Sequence, residues 1–108
     1  MSDPGELARV FKALSVDTRI RIVQLLRGGA LCVNALASRL NVSPAAVSQH
    51  LRVMRDAGLV VPDKRGYFVH YRLNEETLAA WGRLAAGLLG PEAWPSILLS
   101  PRGPGGEG

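Results

Sequence analysis

Ser43-Pro44-Ala45-Ala46-Val47-Ser48-Gln49-His50-Leu51-Arg52-Val53-Met54-Arg55-Asp56-Ala57-Gly58 is the stretch on which the fold turns. Ser43 is a preferred N-cap residue, and Pro44 suits the first helical position, where its missing N–H is no loss. Gly58 is a stop signal. Between them Val47, Leu51 and Met54 recur at helical spacing and make one apolar face. Ala45, Ala46, Ser48, Gln49 and Arg52 fall on the other side, small at the start of the helix and polar further along. Just upstream, Leu36 and Leu40 share one side of a shorter helix over residues 33–40, and Asn41-Val42 make a turn. Two short helices separated by three or four residues have the spacing of a helix-turn-helix.

Downstream, residues 59–62 are β-prone, residues 63–66 read as a basic turn, and residues 67–73 alternate. Val69, Tyr71 and Leu73 share one strand face; Phe68, His70 and Arg72 share the other. A hairpin directly after a helix-turn-helix is a wing. Upstream, Leu7, Val10, Phe11 and Leu14 mark a helix over residues 5–14. Ser15 is the expected cap of the next helix, whose apolar face is read as Ile20, Ile22, Val23, Leu25 and Leu26, with Gly28-Gly29 as its end. Asn74 is the expected cap of a last helix over residues 75–89, with an apolar stripe of Leu78, Trp81, Ala85, Leu88 and Leu89. The expected fold is therefore mostly α with a small β-hairpin, a winged helix-turn-helix. Residues 1–90 form one domain for DNA binding and dimerisation. Residues 91–108 form a tail, apolar over 94–99 and expected to be disordered over 101–108.

In this arrangement the helix opened by Ser43 is the reading head. Small side chains at its start allow close approach to the major groove. Gln49 has the donor–acceptor pair to match adenine N6/N7, and Ser48 suits a base or a phosphate. The helix N-terminus offers backbone N–H groups to a phosphate. His50 lies at the edge of the apolar face, where a partly buried, hydrogen-bonded ring and a phosphate contact are the two readings. Lys64 and Arg65 stand near the wing tip. Over residues 52–72 five basic side chains face two acidic ones, so three of the chain's net +4 charges lie in the proposed reading half. That is where a phosphate-contacting surface needs them. The DNA-contacting set is thus Ser43, Ala45, Ala46, Ser48, Gln49, His50, Arg52, Lys64 and Arg65.

At 108 residues, 47% of them hydrophobic, the chain has apolar stripes on its first and last helices and few elements left to cover them. A homodimer through Leu7, Val10, Phe11, Leu78, Trp81, Ala85 and Leu88 would bury both stripes and present two heads to a palindromic duplex. No apolar run approaches the roughly 18 residues of a transmembrane helix. The N-terminus lacks the pattern of a signal peptide, and Cys32 is the one cysteine; a cytoplasmic protein with no membrane partner is expected.

Three stretches resemble the ArsR/SmtB family of bacterial repressors: Phe11 to Ile22, Ala30 to Leu36, and Val42 to Leu51 with Arg55 to Val60. The resemblance covers about residues 6–89. It implies a winged-helix dimer, with the first and last helices at the seam, that represses an operon until an inducer releases the DNA. The second stretch resembles the family's metal box but departs from it. Cys32 is kept, whereas the second Cys position holds Asn34 and the Asp position holds Ala35. The family's soft-ion sites use two or three thiolates, because soft ions favour sulfur. The family's other site places Asp, His and Glu on the last helix; here that helix offers Glu75 and Glu76 and no His. No metal site of the usual kind and no cofactor are expected, and the inducer is unassigned.

Two further readings stand beside this one. Cys32, primarily a half-buried helix-start residue, could make the chain a thiol- or redox-responsive regulator. The winged fold could also serve as a protein–protein interaction module. A protein-binding face should show aromatic or aliphatic anchors, and Ser48, Gln49 and Arg52 are neither. An enzyme is not expected: the sequence has no nucleophile–base pair at a plausible spacing and no phosphate-cradling Gly loop.

Overall fold

The computed structural model describes residues 3–91. In chain order the elements are α1 (Pro4–Ala13), α2 (Asp17–Leu26), β1 (Leu31–Cys32), α3 (Val33–Leu40), α4 (Pro44–Asp56), β2 (Val60–Arg65), β3 (Phe68–Leu73) and α5 (Glu75–Leu89). The expected tail lies outside the described residues except for Pro91.

Local chemistry explains most of the boundaries. Ser43 Oγ accepts the Ala46 N–H at 3.1 Å and opens α4. Asn74 Oδ1 accepts the Thr77 N–H at 3.3 Å and opens α5, while Asp3 accepts the Gly5 N–H at 3.1 Å ahead of α1. Each satisfies a backbone donor that the first helical turn cannot satisfy itself. Asn41 sits in the left-handed region at φ 58° and ends α3, a conformation that Asn tolerates better than most residues. Gly58 follows α4 at φ 80°, where a Cβ would be strained.

The start of α2 corrects the expected cap. Its N-cap is Val16, with no side-chain hydrogen bond. Ser15 instead donates its hydroxyl to the Lys12 carbonyl at 2.9 Å and so closes α1. The residue stands one position too early to reach the amides of α2. The apolar face of α2 is also narrower than expected. Ile22 and Leu26 are buried, whereas Ile20 points to solvent at 44% exposure.

The core is built from Ile22 and Leu26 of α2, Leu36, Ala37 and Leu40 of α3, and Val47, Leu51 and Met54 of α4. Leu59, Val60 and Leu73 close it from the hairpin side. Full burial of each large apolar side chain contributes about 1.5–3 kcal/mol. α3 and α4 pack on each other and on α2, and α4 also touches β2. This holds the helix-turn-helix rigidly against the wing.

The sheet has three antiparallel strands in the order β1-β3-β2. β1 pairs through Leu31↔Tyr71 and Cys32↔His70, an extension of the expected hairpin. The wing turn is also tighter than the sequence suggested. Asp63, Lys64 and Arg65 belong to β2, and Arg65 pairs with Phe68, so only Gly66 and Tyr67 turn the chain. Gly66 takes φ 64°, the first-position glycine that such two-residue hairpin turns require. Tyr67 is thereby placed at the apex, 99% exposed.

Candidate nucleic-acid interface

α4 presents Ala45, Ser48, Gln49 and Arg52 to solvent while Val47, Leu51 and Met54 anchor its other side in the core. Ser43 is exposed and engaged as the cap; Ala46 is half-buried. The first turn has less free backbone than a helix start usually offers. Pro44 has no N–H, Ala46 N–H is taken by Ser43 Oγ, and Val47 N–H bonds the Ser43 carbonyl at 3.1 Å. The Ala45 N–H remains the unengaged first-turn donor, which leaves fewer free amides than the sequence implied. His50 is half-buried on the flank of α4, and among the described residues its ring makes no hydrogen bond.

The wing splits its two cations between opposite faces, as strand alternation requires. Lys64 shares a face with Pro62, Val69 and Tyr71, and it extends free of any ion pair among the described residues. Arg65 lies on the other face and is drawn back to Asp63 of its own strand, Nη2 to Oδ2 at 3.2 Å and Nε to Oδ2 at 3.3 Å. Both partners are largely exposed, so this ion pair is weak and a phosphate can compete for Arg65.

Between α4 and β3 lies a cleft of about 490 Å³ lined by Ser48, Leu51, Arg52, Arg55, Asp56 and Tyr71. It joins the exposed face of α4 to the wing in one basic surface. Arg55 and Tyr71 were not among the expected contact residues. The clue for Arg55 was its position three residues after Arg52, one turn along the same flank. Tyr71 had no such clue, because alternation placed it on a strand face with Val69 and Leu73 without saying what that face meets. The wing apex adds Tyr67 and the 62%-exposed Phe68, two aromatic side chains with no protein to cover them.

Cys32, His70 and Asp63 form one row across the sheet, since Cys32 and Asp63 each stand opposite His70. The row runs along a line and does not close around a point. Among the described residues no three His, Cys, Asp or Glu side chains gather as a metal site. One thiol does not fit the two or three thiolates that soft ions demand, and the residues present therefore do not fit such an ion.

At the other end of the molecule, α1 and α5 pack against each other. Leu7 and Val10 are buried within their own chain, which corrects their assignment as free apolar surface. α5 is different: none of its residues is fully buried. Leu78, Trp81 and Ala85 are half-covered, while Leu88 and Leu89 are 45% and 63% exposed and Phe11 of α1 is 37% exposed. The uncovered apolar surface therefore concentrates on Phe11 and the C-terminal half of α5. Among the described residues no helix is long and apolar enough to cross a membrane.

Comparison with known proteins places this geometry in context. Residues 17–61 match the family model described as bacterial regulatory protein, arsR family. The arsenical resistance operon repressor of Escherichia coli (strain K12) is 41% identical over 87 residues, covering 80% of this chain and 70% of that protein. A cadmium resistance transcriptional regulatory protein of Staphylococcus aureus is 41% identical over 75 residues; the match spans 68% of this chain and 62% of that relative's length. Among solved structures, a homodimeric winged helix-turn-helix DNA-binding domain from Mycobacterium bovis superposes with a TM-score of 0.65 at 28% identity. That match covers 82% of this chain and 91% of the other.

Proposed function

Since the chain belongs to the ArsR family of bacterial regulatory proteins, DNA-binding regulators and not enzymes, we propose that it represses transcription as a homodimer on double-stranded DNA. α4 is the reading helix. Gln49 and Ser48 address base edges in the major groove, and Arg52, Arg55 and Lys64 contact the flanking phosphates. Ala45 keeps the start of the helix narrow and supplies its free N–H. The observation that carries this reading is the polar, small-residue face of α4 turned outward beside a basic wing, with its apolar face locked in the core.

The second copy joins through Phe11 and the exposed half of α5, where the uncovered apolar surface lies; the structural relative from Mycobacterium bovis is likewise homodimeric. Two heads then meet successive major grooves, about 34–36 Å apart. The absence of a thiolate set around Cys32 leads us to place the switch of this repressor elsewhere than in a bound soft ion. The test is a fluorescence-anisotropy titration of duplex taken from upstream of the chain's own gene, against a scrambled duplex, at several salt concentrations. Binding should be tighter to the upstream duplex and should fall steeply with salt, by roughly 0.9 in log–log slope for each phosphate contacted. Failure to bind either duplex at low salt would reject DNA as the partner.

A further inference from the structure

A second cleft, of about 470 Å³, lies away from the wing, where α1, the start of α2 and the C-terminal half of α4 meet. Its volume falls in the range of small-molecule sites. Arg9, Lys12 and Arg19 line it together with Ala13, Val53 and Ala57. Asp56 lines it as well, so the cleft carries three positive charges against one negative. Among the described residues none of the three cations makes an ion pair or a side-chain hydrogen bond. Arg19 Nε is moreover out of reach of solvent and has no hydrogen-bond partner. A ligand in the open cleft therefore meets Arg19, Lys12 and Arg9 at the charged groups that solvent reaches, and three cations with no protein partner leave their charge free for an anionic acceptor.

We infer that this cleft is a binding site for a small organic carboxylate, with the carboxyl group held by Arg19 and Lys12 and an apolar tail laid on Ala13, Val53 and Ala57. A bare inorganic anion would satisfy the cations but leave the apolar wall uncovered. A neutral apolar molecule would cover the wall but leave Arg19 unsatisfied. A DNA phosphate would satisfy the cations but, like an inorganic anion, would leave Ala13, Val53 and Ala57 uncovered. Val53, Asp56 and Ala57 belong to the reading helix, so an occupant of the cleft lies against the element that carries recognition. Its effect on DNA rests on the repressor reading above; binding itself does not.

The test uses octanoate as the probe, with octanol and inorganic phosphate as controls, followed by amide chemical shifts of the full chain without DNA. Octanoate should shift Ala13, Arg19, Val53 and Ala57 saturably, and neither control should do so at the same concentration. Arg19→Gln should weaken octanoate binding about tenfold or more, the scale of one charge-assisted hydrogen bond. Val53→Glu, a change at an exposed position that leaves the core intact, should do the same by placing a negative charge on the apolar wall. Equal shifts with phosphate would mean a simple anion site and would overturn the inference. So would undiminished octanoate binding in a folded Val53→Glu chain. If short duplex DNA produces the same shifts and Arg19→Gln weakens DNA binding while octanoate has no effect, the cleft is part of the DNA surface and the inference also fails. A chain that binds no duplex at low salt even without octanoate, while the octanoate shifts persist, would instead count against the repressor reading alone.

Discussion

In the proposed complex, Gln49 is the residue on which base recognition depends most directly. It is exposed, sits nearly two turns beyond the Ser43 cap, and has an amide that can donate and accept at once. Replacing it with Ala should weaken binding to the cognate duplex by about 1–3 kcal/mol, the value of one bidentate base contact. Binding to scrambled duplex should change far less, and the ratio of the two affinities from anisotropy measures this. Equal losses on both duplexes would make Gln49 a backbone contact. Ser43 plays a different part. Its side chain is spent on the Ala46 amide, so it sets where the helix begins and leaves recognition to its neighbours.

At the scale of elements, the wing is a short hairpin whose register decides which charges are free. Because Gly66 and Tyr67 alone make the turn, Asp63 and Arg65 share a face and pair, and Lys64 projects from the other. Lys64→Ala should therefore reduce the salt dependence of DNA binding by close to one phosphate contact, a change of about 0.9 in log–log slope, on specific and scrambled duplexes alike. Arg65→Ala should change the slope less, since Asp63 already offsets part of its charge. The slopes of the two variants measured side by side decide the assignment. An unchanged slope for Lys64→Ala would remove the wing from the phosphate contacts.

At the scale of the whole molecule, the two ends differ in how their apolar residues are covered. The helix-turn-helix end is closed around Leu36, Leu51 and Met54, whereas α5 has no fully buried residue. A double change Leu88→Glu, Leu89→Glu places charge on the exposed half of α5 without touching the core. Sedimentation at micromolar concentration should then show a monomer where the parent chain shows a dimer. DNA affinity should fall by about 10²-fold or more, because the second head no longer binds as part of the same complex. A variant that still sediments as a dimer would move the seam away from α5.

Much of this protein was determined by local sequence. The end of α3 at Asn41, the Ser43 cap of α4 and the Asn74 cap of α5 follow from residues that act within three or four positions of themselves, and such interactions need no tertiary partner to be legible. So does the outward face of α4, because Gln49 stands two residues, about half a helical turn, from both Val47 and Leu51. The tertiary structure alone decided the rest. β1 is two residues long and exists because β3 lies beside it. Leu7 and Val10 are buried by neighbours distant in the chain. Arg9, Lys12 and Arg19 share a cleft with Val53 only because α1 and α2 fold against the far end of α4. Periodicity reports which way a side chain points from its own element, and it is silent about what another element brings to meet it.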